Sequence, residues 1–211
     1  MLGMIKAVLW DFGGVILTSP FEAFRRYEAE HDLPLDFIRG VNATDPHNNA
    51  WALMERSEVT AQQFDELFAA ESAALGYNVA GGDVLSLLAG DVRPRMVALL
   101  DRVKANGYLV ACLTNNIVGG DDVDNARSKQ IAEIMARFDV IVESSKIGVR
   151  KPEPRFYEIA CELLGVNPDE CVFLDDLGVN LKPAAAMGMV TIKVNNEDQA
   201  IADLNAALGW M

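Results

Sequence analysis

Ile5 to Trp10 is an apolar run broken only by Lys6, too short for a helix and followed by Gly13-Gly14, so it predicts a buried strand ending at Asp11. No comparable run appears until Tyr108 to Thr114. Val140 to Ser144, Cys171 to Leu174 and Met189 to Val194 then follow at shorter intervals. Between them the apolar positions change to helical spacing, as over Met96 to Asn106, closed by Gly107, and Phe156 to Leu164, closed by Gly165. Strands alternating with amphipathic helices imply an α/β fold, a parallel sheet covered on both faces.

From Pro20 to Gly90 the alternation stops and no strand pattern is found. Thr60 and Gln63 have the spacing of a capping box, and Val59 with Phe64 that of a hydrophobic staple, so a helix starts at Thr60 and Phe64, Leu67 and Phe68 are expected to face inward. The expected organisation is a core of residues 1–18 and 91–211 with a helical cap, 19–90, inserted after the first strand. Ala184-Ala185-Ala186 reads as close helix–sheet packing, and Gly119-Gly120-Asp121-Asp122 as an acidic, mobile loop rather than an ion site.

Composition narrows the partners. The 211 residues include 18 Lys and Arg against 31 Asp and Glu, a formal net charge of −13, and 51% are hydrophobic. A sizeable core is available, and the acidity argues against nucleic acid as a general partner, since neutralising phosphates needs clustered cations. Cys112, Cys161 and Cys171 are odd in number, lack C-x-x-C spacing and sit among apolar neighbours, which fits free buried thiols in a reducing cytoplasm. No signal-peptide pattern and no apolar stretch long enough to span a membrane is seen, so a cytoplasmic location without membrane contact is expected.

In an open parallel sheet, ligands bind beyond the carboxyl ends of the strands. There the sequence places Trp10-Asp11-Phe12-Gly13-Gly14, Leu113-Thr114-Asn115-Asn116 and Phe173-Leu174-Asp175-Asp176, with Arg150-Lys151-Pro152 in the loop before a helix. A single strand-end Asp is most simply a turn or helix cap. Asp11, Asp175 and Asp176 together would repel one another without a cation, and they suit Mg²⁺ held by oxygen ligands. With Lys151 as a second positive charge and the Thr114 hydroxyl as a donor, the set suits phosphoryl transfer.

In this order the four segments resemble the haloacid dehalogenase (HAD) superfamily, with a Rossmann-like core and a cap inserted after the first strand. Lys151-Pro152-Glu153-Pro154 and the stretch from Phe173 to Ala184 are similar to the N-terminal phosphatase domain of soluble epoxide hydrolase. The resemblance implies Asp11 as the nucleophile that forms an aspartyl intermediate, Thr114 as the phosphate-binding hydroxyl and Lys151 as the charge-stabilising lysine. It also implies Asp175 and Asp176 as metal-binding acids and Asn115 beside the phosphoryl group or substrate. The aspartate such phosphatases carry two residues after the nucleophile, a proton carrier, is Gly13 here, although its backbone carbonyl can still serve the metal.

The expected activity is Mg²⁺-dependent hydrolysis of a small phosphorylated metabolite by a monomer or homodimer. The alternatives are a metal-independent 2-haloacid dehalogenase, which needs no protonated leaving group, and a binding protein with weakened catalysis. In the cap, Arg25, Arg26, Arg39 and Arg56 read as a solvated face and Trp51 as packing; His31 and His47 have no partner at ligand spacing.

Overall fold

The structure, a computed structural model, describes residues 4–116 and 126–210. Gly119 to Asp122 lie outside the described residues. The chain begins with strand β1 (Ala7–Trp10) and a tight turn, then forms helices α1 (Phe21–Glu30), α2 (Phe37–Ala43), α3 (Ala50–Glu55), α4 (Ala61–Ala74) and α5 (Gly81–Ser86). Alternation then resumes with α6 (Pro94–Ala105), β2 (Leu109–Thr114), α7 (Ala126–Met135), β3 (Val140–Glu143), α8 (Ser144–Ile147) and α9 (Pro154–Leu164). The last elements are β4 (Cys171–Asp175), α10 (Gly178–Ala186), β5 (Val190–Lys193) and α11 (Glu197–Ala207).

Among the described residues the strands form one parallel sheet in the order β3-β2-β1-β4-β5. The first strand is therefore central, which is why its apolar run is nearly unbroken: side chains on both faces are buried. Val8, Trp10, Val110, Cys112 and Leu174 face Met96, Leu100, Val103 and Leu204 of α6 and α11. The alternate residues Ala7, Leu9, Ala111, Leu113 and Phe173 face Phe156, Tyr157, Ala160 and Leu181 of α9 and α10. Ala184 belongs to this second layer, but Ala185 and Ala186 are exposed, so only one residue of the alanine run packs on the sheet.

The helices α1 to α5 bury a cluster of their own, including Phe24, Ile38, Met54, Phe64, Phe68 and Val84. The capping box at Thr60 is made in both directions, Gln63 N to Thr60 Oγ1 at 3.2 Å and Thr60 N to Gln63 Oε1 at 2.9 Å, and Val59 packs against the same cluster. Leu67 departs from expectation, being 38% exposed. The buried stripe of α4 runs through Phe64, Phe68 and Ser72 at intervals of four, and Leu67 lies about a quarter-turn to one side of it.

This helical cap joins the core through two chain crossings that lie side by side. Leu17 and Val92 form an antiparallel bridge, Thr18 N donates to Asp91 O at 2.8 Å and Arg93 N to Ile16 O at 2.9 Å. A side chain at Gly90 would begin 2.4 Å from the Thr18 carbonyl oxygen, so the approach requires glycine. No described helix is long and apolar enough to cross a membrane, and all three cysteines are free and buried.

Candidate active site

Asp11 is the first residue beyond β1, and its N–H still donates to Leu174 O at 2.9 Å, which sets it level with Asp175 at the end of β4. Its Oδ1 accepts from Phe12 N at 2.7 Å. The chain then turns sharply with Gly14 at φ +78°, its carbonyl held by Arg93 Nη1 at 2.8 Å. A Cβ on Gly14 would lie 2.3 Å from Asp176 Cγ, so the turn and the end of β4 meet only because this residue has no side chain.

Lys151 enters this crevice from the loop after α8 and is fully buried. Its Nζ lies 2.7 Å from Asp11 Oδ1 and 2.8 Å from Asp175 Oδ2. Burial alone would depress this ammonium, but Asp11 and Asp175 outweigh it and hold the group above the usual lysine range. Asp175 is further fixed by Leu177 N at 2.7 Å and by Asn180 Nδ2, 3.1 and 3.0 Å from its two oxygens. Asp11 Oδ2, by contrast, accepts no hydrogen bond among the described residues.

The Thr114 hydroxyl, at the end of β2, is also without a hydrogen bond among the described residues and is nearly buried. Asn115 stands differently. Its side chain brackets the Lys151 backbone, accepting from Lys151 N at 2.9 Å and donating to Lys151 O at 3.0 Å. The same Nδ2 donates to Glu55 Oε2 of the cap at 3.1 Å. Sequence reasoning passed over Glu55 and Asn180. Asn180 carried a local signal, sitting just inside the helix that follows the acidic pair, whereas Glu55 is one acidic residue in a helix and nothing near it in sequence marks it.

Of the cap residues read as solvated or packing, Arg25 and Arg39 reach Asp36, and Arg56 pairs with Glu58. Trp51 packs edge-on to Phe64 and donates from Nε1 to Glu55 Oε1 at 2.9 Å. His31 stacks on Tyr27, away from any cluster of metal-ligating side chains.

A family model described as haloacid dehalogenase-like hydrolase matches residues 5–188. The chain belongs to this family. Mouse (Mus musculus) bifunctional epoxide hydrolase 2 is 32% identical over 216 residues, and this chain spans only 39% of that protein's length while 97% of the chain is matched. An (S)-2-haloacid dehalogenase, 4A of Burkholderia cepacia, is 32% identical over 104 residues, 49% of this chain and 43% of that enzyme. A HAD family enzyme of Bacteroides thetaiotaomicron, solved in complex with magnesium and inorganic phosphate, has the same fold, with a TM-score of 0.58 at 21% identity over 90% of this chain and 93% of that one.

In this HAD-like hydrolase the donor chemistry fits a hard divalent cation. Asp11, Asp175 and Asp176 each offer an oxygen, all within 4.8 Å of one another, where one buried ammonium leaves two negative charges uncompensated. The strain is visible in the acids themselves. Burial pushes the Asp11 carboxyl well up, with Asp175 and Asp176 adding to the shift against the opposing charge of Lys151. Asp176 is pushed up to about 6, by burial and then by the charge of Asp175. Gly13, with an ordinary φ of −70°, has nothing within 4 Å of the place a Cβ would occupy, so the position can accept a side chain.

Two outcomes follow from this geometry. Gly14→Ala forces Asp176 aside, so calorimetry should find Mg²⁺ binding weakened roughly 10-fold or more, whereas unaltered affinity would mean that Asp176 is not a ligand. Because the folded pKa of Asp176 is raised from 3.8 to about 6, its contribution to stability is full below 3.8 and is lost as pH rises through about 6. Mg²⁺ needs the ionised form, so it should raise Tm more at about pH 7.5 than at about pH 5; an equal rise at both would contradict the assigned ligands.

Proposed function

We propose that this chain is a Mg²⁺-dependent phosphatase acting on a small phosphate monoester, with Asp11 as nucleophile. The observation that carries the reading is the charge balance at the rim: three acids converge on one buried lysine, an arrangement that favours a divalent cation and the phosphate it would attract. The magnesium and phosphate held by the Bacteroides enzyme of the same fold are in keeping with it. The global charge of −13 disfavours nucleic-acid backbones, so the substrate is a small phosphorylated metabolite, in a reducing cytoplasm that suits the free buried thiols.

The ion, held by Asp11, Asp175, Asp176 and the Gly13 carbonyl, would supply positive charge to the phosphoryl oxygens. Asp11 Oδ1 is held by Phe12 N and Lys151, which leaves Oδ2 to attack phosphorus. As the Asp11 O–P bond forms, the bond from phosphorus to the leaving oxygen breaks. Lys151 offsets the charge on the equatorial oxygens and Thr114 donates its hydroxyl to one of them. Water then attacks the aspartyl phosphate, breaking the Asp11 O–P bond and releasing phosphate. Gly13 supplies no proton to the leaving oxygen, so that proton comes from water, and esters with good leaving groups are favoured.

The missing carboxylate at Gly13 favours a second reading, a metal-independent 2-haloacid dehalogenase, in keeping with the Burkholderia relative. Assays of an aryl phosphate and a 2-haloacid, each with Mg²⁺ and with chelator, separate the two. Phosphate release that needs Mg²⁺ and disappears in Asp11→Asn is the expected result. Halide release indifferent to chelator would establish the dehalogenase, and Mg²⁺ binding without either activity a binding protein. Restoring the proton carrier with Gly13→Asp should raise turnover of alkyl phosphates by ~10²-fold or more, the usual scale of general acid–base catalysis; an unchanged rate would mean that another group already supplies the proton.

A further inference from the structure

Glu55 is the last residue of α3, in the cap, yet it is only 5% exposed and is surrounded by the groups that hold Lys151. Its Oε2 lies 2.5 Å from Nε of Arg150, the residue before Lys151, paired by charge rather than by an aligned hydrogen bond. The same oxygen accepts from Asn115 Nδ2, the amide that brackets the Lys151 backbone on both sides. Its other oxygen is fixed by Trp51 Nε1 within the cap. Arg150 also donates from Nη1 to Pro46 O of the cap at 2.9 Å. Burial raises the Glu55 carboxyl, and the facing Arg150 charge opposes that shift and favours the ionised form.

We infer that Glu55 is a positioning residue through which the docked cap sets Lys151 against Asp11. A buried carboxylate between Arg150 and Asn115 fixes the loop on both sides of the Lys151 peptide, and Lys151 Nζ has to meet two acids at hydrogen-bonding distance. Without the Glu55 carboxylate, Arg150 and Asn115 lose this anchor together and the Lys151 loop relaxes. Charge neutralisation at the nucleophile is thereby tied to the contact between α3 and the Lys151 loop. The polar partners of Glu55 are Trp51, Asn115 and Arg150 rather than Asp11, so its loss acts on the rate of the chemical step more than on substrate capture.

The consequence for turnover rests on the phosphatase reading; the structural link does not, and the test separates them. Glu55→Gln keeps the shape and removes the charge. It should lower kcat on an aryl phosphate about 10-fold with KM within about 2-fold, as a small misplacement of a catalytic group does. Arg150→Lys should retain most activity, and Arg150→Met should match Glu55→Gln. The double variant Glu55→Gln, Arg150→Met should be no slower than either single one, because both break the same link. Hydrogen exchange, which needs no turnover, should be at least ~10-fold faster over residues 149–152 in Glu55→Gln, with α11 unchanged. Unaltered exchange there overturns the inference whatever the activity, as does a kcat equal to the parent's in an active enzyme. Should the parent hydrolyse no phosphate ester, the functional reading fails while the exchange result still decides the link.

Discussion

The Lys151 ammonium, 2.7 Å from Asp11 and 2.8 Å from Asp175, is the contact on which the rest of the site depends. An ammonium taken out of water costs several kcal/mol, which the two carboxyl groups within hydrogen-bonding distance offset. The acids in turn need it, since Asp11 and Asp175 close the ends of adjacent central strands and would otherwise face each other as like charges. Fixing this group therefore requires β1 and β4 in register, the Asn115 bracket on the loop and the Asn180 amide on the far side of Asp175.

That arrangement treats the oxygens of the acids unequally. One oxygen of Asp11 is held by Phe12 N and Lys151, and the other accepts no hydrogen bond among the described residues. Asp175 is saturated by neighbours, whereas Asp176, pressed against the bare Cα of Gly14, keeps more of its capacity and an upshifted carboxyl. Two adjacent acids of the same type are thus held differently, Asp175 fully buried and hydrogen-bonded at the sheet end and Asp176 half-buried beside the turn after β1.

The cap is tied to these residues at its chain crossings and at Glu55. Near the crossings, Arg93 holds the Gly14 carbonyl and the paired chains leave no room for a side chain at Gly90. From α3, Glu55 reaches the Lys151 loop. The acids and Lys151 all lie on the core, so the cap meets them through contacts of this kind.

Periodicity was enough for the five strands, for α6 and α9 among the helices that cover them and for the helical character of the segment after β1, since these depend on local spacing and on glycine stops at Gly107 and Gly165. The acids and the lysine were legible because each sits at a strand end or in a loop of unusual composition. Leu67 and the alanine run were misread because a stripe of apolar residues does not state which edge of it meets the neighbouring element. Asn115 as a bracket for Lys151, Gly14 as the seat of Asp176 and above all Glu55 as the cap's hold on that loop were decided by tertiary structure alone. These partners lie between 36 and 162 residues apart, the Asn115 to Lys151 bonds spanning 36, the Glu55 to Asn115 bond 60 and the Gly14 to Asp176 approach 162. Residue type and local spacing determine which groups can ionise, coordinate or turn the chain; which of them meet is determined by how the sheet and the cap pack.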